Sequence, residues 1–183
     1  MFENLEMDYL RYGGSRGNVF MYMWRFLKCR GFRATTLYRL AHWCKLHRFK
    51  LGVAICLRSM RHLCHCSIGA GCEIGGGLKI AHSFGLVIGG NTILGKNCDV
   101  RQNVTFGGNY RKTGHDGRTK PLLGDNVSVG AGAVILGPVK IGSNSVIGAN
   151  AVVTRDIPEN VIAAGVPARV IKKMWDPDSG RQL

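Results

Sequence analysis

The C-terminal part of the chain carries an apolar, mostly aliphatic residue at every sixth position, usually followed by glycine and then by small residues. This period is typical of a β-solenoid, in which three hexads form one triangular coil with a short strand on each side. The aliphatic side chain then points into the prism, and Gly or Asn takes the left-handed backbone conformation at the corners. The hexads predict about four coils. Their first residues are Ile68, Ile74, Ile80, Ile88, Leu94, Val100, Phe106, Leu123, Val129, Ile135, Ile141, Ile147 and Val153.

Two irregularities interrupt this period. The phase shifts by two residues just after His82, and residues 108–121 are too polar and glycine-rich to belong to a core. A regular solenoid needs neither feature, so we expect function to concentrate at both places. The longer one predicts an extruded loop.

The N-terminal segment has a different pattern. Residues 9–72 contain no Asp or Glu but twelve Lys and Arg, with aromatic and aliphatic residues between them. Apolar positions at helical spacing predict two or three short helices, broken at Gly31 and Gly52. Two interpretations remain open for residues 9–66. Basic amphipathic helices with Trp and Phe bind the surface of anionic membranes, or the apolar faces pack on the rest of the protein.

Composition narrows the class of protein. The chain has 183 residues and a net charge of +14. Its hydrophobic content of 45% and charged content of 20% exclude an intrinsically disordered chain. No apolar run reaches the length of a transmembrane helix. Nucleic-acid binding is disfavoured, because no nucleic-acid motif accompanies the positive charge. We therefore predict a basic helical segment at 1–66, a solenoid at 67–173 and a polar tail at 174–183.

The cysteines and histidines suggest neither disulfides nor a metal. Seven cysteines is an odd number and no secretory signal precedes them, so reduced thiols in a cytosolic protein are expected. His62, Cys64, His65 and Cys66 form a cluster that resembles metal ligands. No second ligand pair follows at zinc-finger spacing, and no metal site is predicted.

Four stretches resemble the hexapeptide-repeat acyltransferase superfamily, and within it the serine O-acetyltransferases and their relatives that acetylate sugars of bacterial surface polysaccharides. They are HSFG at 82–85 followed by LVIG, RQNVTFGGN at 101–109, VGAGAVILGPVKIG, and AAGVPARVI at 163–171. The resemblance implies a left-handed parallel β-helix and a homotrimer. It also implies active sites in grooves between neighbouring prisms, with acetyl-CoA as co-substrate extended along the coils.

The same resemblance assigns roles to individual residues. His82 matches the catalytic histidine, and an imidazole is a suitable general base for a hydroxyl acceptor near neutral pH. Without the resemblance, His82 reads as a solvated histidine on a prism face, and the terminal cations as a solvated basic tail. The residues implied to bind acetyl-CoA are Gly107, Gly108, Ala131, Gly132, Arg169, Lys172 and Lys173. The residues implied to bind the acceptor are Asn103, Lys112, His115 and Arg118.

The acceptor is predicted from departures from the family pattern. Serine acetyltransferases carry an acid directly before the catalytic histidine and another about fifteen residues upstream, where this chain has Ala81 and Ser67. Glu73, Asp99 and Asp116 are the remaining carboxylates that could face the ammonium group of an amino acid. A sugar hydroxyl needs no such partner, so the sequence favours a saccharide of a polysaccharide precursor as acceptor. Serine is the alternative, and a non-catalytic solenoid scaffold is the second.

Overall fold

In the computed structural model, which describes residues 2–14, 19–109, 112–114, 116–176 and 181–182, helices precede a stack of short strands. The helices are α1 (Phe2–Arg11), α2 (Val19–Lys28), α3 (Arg30–Leu46) and α4 (Lys50–Cys64). The strands are β1 (Ser67–Ile68), β2 (Glu73–Ile74), β3 (Lys79–Ile80), β4 (Val87–Ile88), β5 (Ile93–Leu94), β6 (Asp99–Val100), β7 (Thr105–Gly107), β8 (Leu122–Leu123), β9 (Ser128–Val129), β10 (Val134–Leu136), β11 (Lys140–Ile141), β12 (Val146–Ile147), β13 (Val152–Val153), β14 (Val161–Ala164), β15 (Arg169–Lys173), β16 (Trp175–Asp176) and β17 (Arg181–Gln182).

The strands from β1 to β13 stack in three parallel sheets, because each strand from β1 to β10 pairs with the strand three places further along the chain. The first sheet has the order β1-β4-β7-β10-β13, and the second has the order β2-β5-β8-β11. The third contains β3, β6, β9, β12 and β14, with β15 antiparallel at its end. This topology confirms the prediction that three hexads form one coil.

The hexad positions coincide with the strands. Each of the thirteen predicted apolar residues lies in one of the strands β1 to β13, and each is at most 6% exposed. The stack continues further than predicted, because a bridge from Ile141 to Ile157 and the pairing of β12 with β14 complete a fifth coil. The hexad spacing is lost after Val153, so no sequence period predicts this last coil.

The corners follow the predicted backbone chemistry. Asparagines with positive φ recur at one corner of successive coils, among them Asn126, Asn144 and Asn160. Their side chains form a ladder, in which the Asn126 amide donates to Asn144 at 3.0 Å and the Asn144 amide donates to Asn160 at 3.1 Å. The left-handed conformation that asparagine tolerates is thus reinforced by hydrogen bonds between coils.

The glycines of the helical segment do not break helices, which corrects the prediction. Gly31 lies in the first turn of α3 and Gly52 in the first turn of α4. A Cβ on Gly31 would come within 2.0 Å of the Ile80 carbonyl oxygen, and one on Gly52 within 2.4 Å of the Phe49 ring. Both glycines permit close packing, which a local sequence pattern does not distinguish from a break.

Helices α1 and α3 cap the open end of the first coil, whose backbone groups have no preceding coil to pair with. Tyr38 donates its hydroxyl to the Cys72 carbonyl at 2.8 Å, and Arg39 donates to the carbonyl of Ile74 at 2.5 Å and to that of Gly75 at 2.6 Å. An uncapped solenoid end would leave these carbonyls without partners. The packing interpretation of the basic segment therefore holds for α1 and α3.

A buried ion pair joins these two helices to the coil. The carboxylate of Asp8 accepts hydrogen bonds from Arg39 at 2.9 and 3.1 Å and from the Leu78 amide at 2.8 Å. Tyr12 reaches the next strand, because its hydroxyl accepts a hydrogen bond from the Ile80 amide at 2.6 Å.

The remaining features concern cysteines, metals and membranes. All seven cysteines are free, and five of them are buried. Across the described ranges, no group of three or more His, Cys, Asp or Glu side chains is placed to hold a metal ion. Among the described helices, none has the length and apolar character to cross a bilayer. In the segment predicted as a polar tail, β16 and β17 form an antiparallel pair.

Candidate active site

His82 lies in a bulge between β3 and β4, where the chain passes from the third sheet to the first. Its side chain is exposed and makes no hydrogen bond to any residue that the structure describes. The next residue, Ser83, is buried and donates its hydroxyl to the Cys64 carbonyl at 2.6 Å. The two-residue phase shift thus presents an imidazole to solvent on a segment that is fixed from below.

Phe84 fixes the same bulge from the side. Its ring stacks on His65 with the centroids 5.6 Å apart, and the Arg30 guanidinium lies 4.8 Å from its centroid. The Gly85 amide donates to the carbonyl of His65 at 3.0 Å. The ends of α3 and α4 therefore hold the segment that carries His82.

Further predicted residues lie along the same edge of the stack, between the third and first sheets, which we call the His82 edge. Asn103 occupies this edge one coil on, and its amide donates to the Phe84 carbonyl at 2.8 Å. Gly132 follows on the next coil, where its amide donates to the backbone carbonyl of Gln102 at 3.0 Å. Gly132 has φ +71, and a Cβ there would lie 2.2 Å from the Asn150 side chain. Ala131 precedes it in the same turn.

Gln102 is a residue that the sequence analysis missed. Its side-chain oxygen is buried and has no hydrogen-bond partner among the described residues. A buried acceptor without a donor costs about 1–3 kcal/mol, so an unpaired oxygen on this edge points to a missing partner. Its position as the third residue of the hexad that begins at Val100 was the only available signal.

The second group of predicted residues lies on the opposite edge of the first sheet, between the first and second sheets, which we call the loop edge. Gly107 ends β7, and Gly108 begins the segment that leads to β8 without a strand in its described parts. The end of the loop lies at this edge again, since Lys120 Nζ is 3.0 Å from the position that a Cβ on Gly108 would take. Lys112 is exposed in this loop, and His115 lies outside the described residues.

Arg118 carries the clearest binding feature of the loop. Its Nε donates to Asp116 at 2.5 Å, whereas its Nη1 is buried and has no partner among the described residues. The hydrogen bond from Arg118 also lowers the pKa of Asp116. The guanidinium is therefore oriented by one carboxylate and retains donors for another anion.

The other predicted residues are separated from both edges or from each other. Arg169, Lys172 and Lys173 are exposed on β15, at the end of the third sheet. Of the three candidate carboxylates, Glu73 lies in the second sheet and Asp99 in the third, and only Asp116 lies in the loop. Asp116 is already paired with Arg118, so no carboxylate stands beside His82 among the described hydrogen bonds and ion pairs.

The comparisons with known proteins agree on one family. Residues 120–155 match the family model described as bacterial transferase hexapeptide (six repeats). The serine acetyltransferase of Synechococcus elongatus is 40% identical over 141 residues, which cover 77% of this chain and 57% of that protein. The serine acetyltransferase of Helicobacter pylori is 38% identical over 143 residues, covering 78% of this chain and 82% of that protein.

The chain belongs to the serine acetyltransferase family. It spans less than two thirds of the length of the Synechococcus relative. A solved structure of serine acetyltransferase in complex with coenzyme A, from Brucella abortus, superposes with a TM-score of 0.81 at 32% identity. That match covers 94% of this chain and 68% of the other.

This membership corrects the predicted acceptor. The relatives are serine acetyltransferases, so the prediction of a polysaccharide sugar is wrong. The inference from Ala81 and Ser67 failed because it treated two missing acids as evidence against an amino acid. An amino acid also presents a carboxylate, and Arg118 has a free donor for one. Ala81 and Ser67 are therefore variations within this family.

Proposed function

We propose that this protein transfers the acetyl group of acetyl-CoA to the hydroxyl of serine. The observation that carries the proposal is its family membership, with 38% identity to a serine acetyltransferase matched over 82% of that protein. The exposed imidazole of His82, on a rigid bulge and free of hydrogen bonds to described residues, supports the same chemistry.

In this mechanism His82 acts as general base. One imidazole nitrogen accepts the proton of the serine hydroxyl while the hydroxyl oxygen attacks the thioester carbonyl carbon. The tetrahedral intermediate then collapses, the carbon–sulfur bond breaks, and the proton passes to the departing thiolate. The products are O-acetylserine and CoA, and no covalent acyl-enzyme forms.

Arg118 is the proposed partner of the serine carboxylate. Its buried Nη1 lacks a partner among the described residues, and an arginine already held by Asp116 loses little side-chain entropy on binding. Gln102 offers a buried acceptor on the His82 edge, where an ammonium or hydroxyl group of the acceptor would satisfy it. Asn103, Lys112 and His115 stay predictions as acceptor ligands.

Acetyl-CoA is the proposed co-substrate, since the Brucella structure contains coenzyme A. Glycine at 107, 108 and 132 and Ala131 keep both edges free of bulky side chains, which suits a pantetheine arm that runs close to the backbone. The exposed cations of β15, namely Arg169, Lys172 and Lys173, fit the negative phosphates of CoA.

We also propose a left-handed β-helix at 67–173, following the helical segment 1–66 and followed by the tail 174–183, that assembles as a homotrimer. His82 and Arg118 lie on opposite edges of the first sheet, which separates them within one protomer. In a threefold assembly the His82 edge of one protomer meets the loop edge of its neighbour. Each site would then draw its base and its anion-binding arginine from two copies.

Acetyl transfer tests the function. Purified protein is incubated with acetyl-CoA and L-serine, and the released CoA is measured with a thiol reagent. We expect turnover that falls at least about a hundredfold in His82→Ala, the lower range for loss of a general base. His62→Ala, at an exposed histidine on α4, is the matched control and keeps full activity. Absence of turnover with serine, or full activity in His82→Ala, would contradict the proposal.

Two further measurements separate the roles of Arg118 and of the trimer. Arg118→Gln should raise the KM for serine while leaving turnover of serine methyl ester, which lacks the carboxylate, unchanged. Refolding an equal mixture of His82→Ala and Arg118→Gln subunits, assayed with serine far below the raised KM of Arg118→Gln, should restore about a quarter of the wild-type activity. Random mixing pairs an intact His82 with an intact Arg118 at one site in four. No recovery in the mixture would place both residues in one protomer.

A further inference from the structure

Helix α2 presents an apolar face to solvent. Tyr22, Arg25, Phe26 and Cys29 recur at helical spacing and are half-buried on its inner side. The outer side carries the exposed residues Val19, Phe20, Met21, Met23, Trp24, Leu27 and Lys28. Phe20 is 75% exposed and Trp24 is 56% exposed, and no residue of α2 is fully buried. A surface helix of a globular protein normally turns polar side chains outwards, so α2 has the opposite arrangement.

The apolar face belongs to a helix that is held in place. Arg33 of α3 donates to the Phe26 carbonyl at 2.9 Å and also to the Leu27 carbonyl, which closes the C-terminal end of α2. On the inner side the rings of Tyr9 and Tyr22 stack with centroids 4.1 Å apart. The outward direction of Phe20 and Trp24 is therefore set by contacts on the other side of the helix.

Positive charges lie at the C-terminal end of this face. Lys28 Nζ lies 5.0 Å from the Trp24 ring centroid. Arg25 turns inwards, because its guanidinium lies 5.9 Å from the Tyr9 ring and donates to the Gly13 carbonyl at 3.3 Å. Arg30 follows directly on the first turn of α3 and is exposed. The chain has no Asp or Glu from residue 9 to residue 72. The nearest acids belong to α1. Burial of Tyr22, on the inner side of α2, is the main cause of its raised pKa, and the negative charge of Glu6 adds to it.

We propose that the outer face of α2 docks on an anionic lipid surface. Trp and Phe insert at the boundary between headgroups and acyl chains, while Lys and Arg extend along the apolar surface to the phosphates. Charge complementarity favours this partner over a second copy of the chain. A self-complementary contact through α2 would bring two copies of Lys28 and Arg30 together, with no carboxylate from residues 9–72 to offset them.

Vesicle binding tests this docking with the full chain. Co-sedimentation is measured with phosphatidylglycerol/phosphatidylcholine vesicles and with phosphatidylcholine alone, each from low to physiological salt. We expect binding to the anionic vesicles only, weakening steeply as salt screens the charges. Lys28→Gln should weaken it by about fivefold, since one cation near the surface contributes about 1 kcal/mol. Lys96→Gln removes the same charge from an exposed turn of the strand stack and is the matched control.

The apolar contribution has its own variants. Phe20→Ser with Trp24→Ser should reduce binding by more than about tenfold while leaving the thermal melting point and the rate of acetyl transfer to serine near wild type. Leu46→Ser, at an exposed residue about 24 Å from Arg30 along α3, is the control. Binding that survives Phe20→Ser/Trp24→Ser, or equal binding to neutral vesicles, would overturn the proposal. The proposal would also be overturned if Phe20→Ser/Trp24→Ser formed a smaller assembly than wild type in sedimentation velocity. That result would assign the outer face of α2 to contact with a second copy of the chain.

Discussion

Replacing Arg39 by methionine tests how the N-terminal helices close the first coil. In the native protein Arg39 is 5% exposed and makes hydrogen bonds to the Asp8 carboxylate and to the carbonyls of Ile74 and Gly75. Methionine fills similar space without a charge. It leaves the Asp8 carboxylate, which is fully buried, without its counterion.

The expected cost follows from that uncompensated charge. Breaking a buried ion pair by removing one partner lowers the free energy of unfolding by about 3–5 kcal/mol. We expect about 4 kcal/mol for Arg39→Met. Urea unfolding at one fixed protein concentration measures it, because an oligomer's apparent stability depends on concentration. The variant should still fold, since typical unfolding free energies are about 5–15 kcal/mol.

The pH dependence separates a lost charge partner from lost packing. Burial raises the pKa of Asp8, and Arg39 opposes that shift. Without Arg39 the folded-state pKa rises further, so the variant gains stability from a protonated Asp8. That gain is complete below the unfolded pKa near 3.9 and is lost as pH rises through the folded pKa. The difference from wild type should therefore narrow as pH falls from 7 towards 4.

Asp8→Asn in the Arg39→Met background is the control. The neutral amide keeps a hydrogen-bond acceptor for the Leu78 amide and has no charge to desolvate. We expect the double variant to be more stable at pH 7 than Arg39→Met alone, with a difference from wild type that changes little over this pH range. A loss below about 1 kcal/mol for Arg39→Met, or a loss independent of pH, would refute the capping argument.

Three further substitutions test the packing, each by urea unfolding. Phe106→Ala should lower the unfolding free energy by about 3–5 kcal/mol, because Phe106 is 0% exposed within the stack. A loss below about 2 kcal/mol would show that the surrounding side chains fill the cavity. Tyr38→Phe should cost about 1–3 kcal/mol by leaving the Cys72 carbonyl without its donor, and no change would mean that water replaces the hydroxyl. Gly31→Ala should destabilise by about 1–3 kcal/mol despite the better helix propensity of alanine, because the new Cβ meets the Ile80 carbonyl, and a stabilised variant would contradict that contact.

The strands were predictable because their signal is local. A two-residue strand and a corner fill one hexad, so the buried position of each strand can be read from six consecutive letters. The prediction weakens where the period does, and the fifth coil went unseen because Ile157 follows Val153 after four residues. The prediction of helix breaks at the glycines of α3 and α4 was wrong for a related reason. Gly31 packs against Ile80, which is 49 positions away in the sequence.

The candidate site was predictable only in part. The phase shift after His82 and the polar stretch at 108–121 marked the two places where the proposed base and the proposed anion-binding arginine lie. Neither Gln102 nor the orientation of Arg118 by Asp116 has a sequence signal, because each depends on which atoms the fold leaves without a partner. The acceptor was predicted wrongly from Ala81 and Ser67, since absent side chains report what does not bind and leave open what does.

In the proposed trimer the site is shared between copies, and one chain alone does not bring its residues together. The first sheet keeps the His82 edge apart from the loop edge, so neither hexad spacing nor the contacts within a protomer bring His82 near Arg118. The unpartnered nitrogen of Arg118 and the unpartnered oxygen of Gln102 lie on these two edges. Buried polar atoms are almost always paired, so two unpaired ones on opposite edges are the expected trace of a site that closes between protomers. The mixed-subunit experiment at low serine decides this, because only a shared site regains activity from two variants that are each nearly inactive at that serine concentration.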